Sequence, residues 1–63
     1  RKARAIMDKG GVCACDDGEF DYYTVMDNEM IGYDGIPDSP VYKVSGPALA
    51  KIRSSNKWHW KAD

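Results

Sequence analysis

Long apolar runs are missing from this sequence, and cysteine, histidine and phenylalanine are scarce. No stretch approaches the roughly 18–20 consecutive apolar residues that a membrane-spanning helix needs. No signal-peptide-like apolar region lies within the chain either. The only cysteines are Cys13 and Cys15. A small secreted domain held by disulfides ordinarily carries four or more. On one strand, alternate residues share a face about 6.5–7 Å apart, at or past the limit of a relaxed disulfide. The two thiols are therefore expected reduced, which points to a cytoplasmic, reducing setting. With His59 as the single histidine, a four-ligand zinc site lacks donors, and the C-x₂-C knuckle spacing is absent. No metal or other cofactor is expected.

The same poverty weighs against an enzyme. A Cys–His pair exists on paper, but nothing in the sequence brings His59 to either thiol. A chain of 63 residues also offers little volume for a substrate pocket of several hundred Å³. No catalytic residue is assigned. The acidic run Asp16-Asp17-Gly18-Glu19-Phe20-Asp21 does not match the ligand positions of an EF-hand loop and reads as a solvated hairpin tip.

What is present suits one small folded domain spanning residues 1–63. A chain of this length hides about 60% of its unfolded surface. The 43% apolar and 30% charged content is ordinary for globular proteins, and two tryptophans, one phenylalanine and four tyrosines argue against whole-chain disorder. The chain opens at Arg1 with no initiator methionine, so a trimmed or partial chain is one expectation.

Lysine and arginine are absent from residues 10–40. That stretch carries a net charge of −8, whereas residues 1–9 carry +3 and residues 41–63 carry +4. Such a layout either folds the ends against the middle or displays surfaces of opposite sign.

Residues 12–16 predict a strand, and Asp17-Gly18 a tight hairpin. Residues 20–26 are rich in β-formers and predict its partner. Asp27-Asn28-Glu29 predicts a turn, residues 30–33 a third strand and residues 34–40 a loop. Residues 41–44 predict another strand. Ser45-Gly46-Pro47 is a helix start, and a helix is expected near residues 46–55 with Ala48, Leu49 and Ile52 on one face. Residues 57–61 alternate and predict a last strand. The first nine residues fit two descriptions. Ala3, Ile6 and Met7 form a helical stripe ending at a Gly10-Gly11 cap, or the segment is a further strand joined by a Lys-Gly-Gly turn. The strand is preferred, because a larger sheet is easier to stabilise. The expected class is α+β: an antiparallel meander of about four to five strands with one helix packed on it. Leu49, Ile52 and at least one of Trp58 and Trp60 are expected to be buried together.

Two surfaces are candidates for function. The first is the acidic middle, where Asp16, Asp17, Glu19, Asp21, Asp27, Glu29 and Asp34 would steer a basic partner. Tyr22, Tyr23 and Tyr33 would supply anchoring contacts. The protein would then be a small non-enzymatic binding module or inhibitor of a larger basic protein, such as one that binds nucleic acid. The second is the basic and aromatic set Lys51, Arg53, Lys57, Trp58, Trp60 and Lys61, with the chemistry of a single-strand nucleic-acid platform. The acidic overall balance opposes that alternative. A third possibility is a structural subunit or fragment of a larger assembly. No membrane partner is expected.

Overall fold

The structure, a computed structural model, describes residues 2–60. Seven elements follow one another: α1 (Lys2–Asp8), β1 (Cys13–Cys15), β2 (Tyr22–Met26), β3 (Glu29–Tyr33), β4 (Tyr42–Lys43), α2 (Gly46–Arg53) and β5 (Trp58–Trp60). The strands form one antiparallel sheet in the order β4-β3-β2-β1-β5. Strands β1 to β4 make the expected meander. The chain then returns through α2 and lays β5 on the outer side of β1, with Cys13 opposite Trp60 and Cys15 opposite Trp58.

The class is α+β, but there are two helices, because the first segment is helical and not the preferred strand. Its stripe of Ala3, Ile6 and Met7 faces the core, and Met7 is fully buried. The Gly10-Gly11 pair closes it. The Gly11 N–H donates to the Ile6 carbonyl at 2.9 Å and the Gly10 N–H to that of Met7 at 3.0 Å. These are the two bonds of a Schellman cap. Gly10 holds the left-handed φ of +88° that the cap requires. A helix here lays Ala3, Ile6 and Met7 over the apolar face of the sheet and removes that area from water.

The Asp17-Gly18 hairpin is also corrected. β1 and β2 are joined by six residues, 16–21, and β2 begins at Tyr22. Gly18 is not in the left-handed region. It is needed for room, since a Cβ there would run into the Tyr23 hydroxyl and lie 2.8 Å from Tyr23 Cζ. The tight hairpin falls one turn later. Met26 pairs with Glu29, and Asp27 and Asn28 between them have φ of 52° and 65°. Positive φ at both central residues is the mark of a type I′ turn.

One sheet face carries Cys13, Cys15, Tyr23 and Met30, which join Met7, Val44 and Ile52 in the buried core. Both helices pack on this face. Ile52, 2% exposed, is the residue through which α2 enters the core, while Leu49 is half-buried at its edge. Trp58 joins them, half-buried, with its Nε1 donating to the Ile52 carbonyl at 2.8 Å. The other face carries Ala14, Tyr22, Thr24, Ile31, Tyr33, Lys43 and His59 by alternation from this register. No helix lies over it among the described residues.

Two substitutions test the cap. Gly10→Ala meets only backbone strain and should cost about 1 kcal/mol. Gly11→Ala forces a Cβ to 2.6 Å from Ile6 Cγ2 and 2.9 Å from the Ile6 carbonyl, and should cost about 2–3 kcal/mol. Urea unfolding of both variants measures the order, and equal effects would mean that α1 ends differently. In α2, Ile52→Ala should cost about 2–5 kcal/mol and Leu49→Ala clearly less.

Candidate functional site

The two loops at one end of the sheet bring most of the acidic residues together. Loop 16–21 leaves β1 and enters β2, and loop 34–41 leaves β3 next to the start of β2. The Gly35 N–H donates to Asp21 Oδ2 at 2.9 Å and ties the loops to each other. Asp16, Asp17, Glu19, Asp21 and Asp34 therefore share one end. Asp27, within the type I′ turn, and Glu29, just after it, lie at the opposite end, about 13 Å away along the five-residue strand. The expected single surface is thus divided.

The carboxylates of the acidic end differ in how far they are occupied. Asp17 accepts a hydrogen bond from Ser55 Oγ at 2.7 Å. Ser55 is buried, and its Oγ also accepts from the Lys57 N–H at 2.9 Å. Asp17 is therefore a structural group that pins the segment after α2 to the loop. Asp16 Oδ1 lies 2.9 Å from His59 Nε2, with both side chains mostly exposed, and such a surface pair stabilises little. Asp21 holds Gly35. Glu19 is exposed and Asp34 half-buried, and neither belongs to an ion pair among the described residues. At the far end Glu29 meets Lys43 across the strands at 3.3 Å.

The three tyrosines separate. Tyr22 and Tyr33 face each other across β2 and β3, with ring centroids 5.5 Å apart and planes tilted by 44°. They stand half-buried at the acidic end, on the face that carries no helix among the described residues, with Gly35 of loop 34–41 close against the Tyr22 ring. Tyr23 points the other way and is 1% exposed. It packs edge-on against Phe20 and Trp58, and its hydroxyl accepts from the Phe20 N–H at 3.1 Å. It is core and cannot touch a partner. Strict alternation along residues 20–26 separates Tyr22 from Tyr23; which of the two faces inward is decided by the helices.

The basic and aromatic set is brought together only in part: Arg53, Trp58 and Trp60 line one groove, and Lys51 lies elsewhere. Lys51 borders a small hollow with Asp17 and Glu19. Arg53, Trp58 and Trp60 line a different groove, Lys57 is exposed between them, and Lys61 lies outside the described residues. Trp58 is committed to Tyr23 and Ile52, so of the two tryptophans only Trp60, 55% exposed, presents its ring to solvent. A two-ring stacking platform is not formed.

The groove itself was not foreseen. It has a volume of about 550 Å³ and runs between α1, the end of α2 and β5. The signal was the stripe of Ala3, Ile6 and Met7, which places a helix beside β5 once that stripe is taken as helical. Among the described residues no three His, Cys, Asp or Glu side chains are placed to hold a metal ion. No helix among them is long and apolar enough to cross a membrane. Both cysteines are free and buried, and burial pushes the Cys13 thiol pKa up, away from nucleophilic use. No family model, curated protein or solved structure matches the chain.

Burial also pushes the Tyr23 phenol pKa up, only partly opposed by its backbone hydrogen bonds. A raised native pKa means that the unfolded chain gives up its proton first as pH rises. Stability from Tyr23 and Cys13 is therefore intact at neutral pH and is lost as pH climbs from about 9 upward, where unfolded thiol and phenol ionise. Thermal melts from pH 7 to 11 should show a falling alkaline limb. Tyr23→Phe should lower stability at pH 7 by about 1 kcal/mol and flatten that limb.

Proposed function

We propose that this protein is a small non-enzymatic binding module, or inhibitor, that engages a basic segment of a larger protein at the acidic end of its sheet. The observation that carries the proposal is the Tyr22–Tyr33 pair, standing on the face that carries no helix among the described residues, where the loops bearing Asp16, Glu19, Asp21 and Asp34 meet. Carboxylates draw a cationic segment in and set its orientation. Aromatic faces then hold guanidinium or ammonium groups by cation–π contact. Tyrosine offers this area with little rotamer entropy to lose, which suits it to anchoring. Asp27 and Glu29, at the other end, and Tyr23, in the core, take no part. Two free thiols fit the reducing conditions of a cytoplasmic protein.

The basic set is the weaker alternative, because Lys51 stands apart from the groove that Arg53, Trp58 and Trp60 line and the net charge of −1 disfavours a polyanion.

The test uses a ten-residue peptide of alternating Lys and Arg, followed by tyrosine fluorescence and stopped-flow mixing. Glu19→Gln with Asp34→Asn should slow association by about three- to tenfold and reduce its salt dependence. Asp27→Asn with Glu29→Gln, which leaves the acidic end intact, should change it little. Equal effects of the two pairs would reduce the acidic layout to a solubility feature.

A further inference from the structure

The groove between α1 and β5 borders the acidic loop on one side but has its own chemistry. Its floor is apolar, built from Ile6, Met7, Cys13 and Met30, and Trp60 forms a wall. Its polar rim includes Lys2 and Arg53, and no carboxylate is among its described lining residues. In a chain of net charge −1, that is a local reversal of sign. Arg4 also lines the groove, but its Nε is taken up by Asp8 at 2.8 Å. Lys2 and Arg53 have no such ion pair among the described residues.

We propose that this groove binds one small aromatic anion. A flat apolar body would lie on the Trp60 ring and against the half-buried Ala3, Ile6 and Trp58 side chains, which also line the groove. A single sulfonate, carboxylate or phosphate would be neutralised by Lys2 and Arg53. A volume of about 550 Å³ lies within the range of small-molecule sites. The occupant is a small molecule and not a nucleic-acid strand, because the acidic loop borders the groove. Ser55 and His59 both line it, and they carry Asp17 at 2.7 Å and Asp16 at 2.9 Å. A polyanion leaving the groove on that side meets these carboxylates, whereas a single anion does not reach past the rim.

The probe is 1-anilinonaphthalene-8-sulfonate, titrated into the full chain and read by its own emission and by quenching of tryptophan. Saturable binding at one molecule per chain is expected. Lys2→Gln with Arg53→Gln should weaken it by about tenfold, and Trp60→Ala should weaken it with the rim intact. N-phenyl-1-naphthylamine, which has the same rings without the sulfonate, should bind more weakly to the native chain and equally to the double variant. Circular dichroism confirms that each variant is folded, and Lys51→Gln, outside the groove, serves as the control. Unchanged binding in the rim variant, equal affinity for the neutral analogue, or several dye molecules per chain would overturn the proposal. Displacement of the dye by a twelve-residue oligothymidine at lower concentration than by the free dye's own sulfonate analogues would also overturn it, in favour of a nucleic-acid groove.

Discussion

The phenol of Tyr23 must have both space and a hydrogen-bond partner inside a very small core, and much of the fold answers that requirement. Its strand neighbours are Cys13 on one side and Gly32 on the other, two residues that leave the ring room. Gly18 has no side chain where the hydroxyl sits, and the Phe20 N–H supplies the bond. Gly32 in turn leaves the place that Phe20 occupies, since a Cβ there would overlap the Phe20 ring. Phe20 then stacks on Tyr42 at 5.4 Å, which brings β4 to the sheet. Trp58 packs edge-on at 5.4 Å and leads to Ile52 and α2. A buried hydroxyl without a partner would cost several kcal/mol, so these contacts stand or fall together.

That arrangement also determines what is left for function. With Tyr23 turned inward, Tyr22 and Tyr33 must face outward, and the loop that accommodates the phenol, residues 16–21, also carries four of the carboxylates. The acidic end is thus a by-product of core packing that has become a surface. The helices lie on the other face, and the groove opens where α1 and α2 fail to meet over β5. Charge of opposite sign is separated by the sheet's own construction and not by separate domains.

Much of this was legible in the sequence. β-former content located β2, the turn after it located β3, strict alternation located β5, and the Ser-Gly-Pro start located α2. The type I′ turn at Asp27-Asn28 was seen as a turn. The misplaced features share one physical cause: short segments satisfy two periodicities at once, and tertiary contacts choose between them. Residues 2–8 carry a valid helical stripe that local propensity alone could not separate from a strand. Gly18 was assigned a conformational role when its role is steric, which depends on a tyrosine five positions away. The site divided for a comparable reason. Charge counted along the chain does not record that residues 16–21 and 27–29 sit at opposite ends of one strand.

The placement of β5 beside β1 has a consequence for how the molecule is made. The β2–β3 ladder joins neighbours in sequence, but the β1–β5 ladder joins residues more than 40 positions apart, such as Cys15 and Trp58. Local pairings close quickly and distant ones slowly. A chain emerging from synthesis therefore holds a hairpin early, while the outer edge of β1 stays unpaired until residues 58–60 arrive. Through that interval the nascent chain presents an unpaired edge, the state in which strands recruit one another. β5 is thus the seal of this sheet, and any event that delays or removes it exposes the adhesive edge of β1 first.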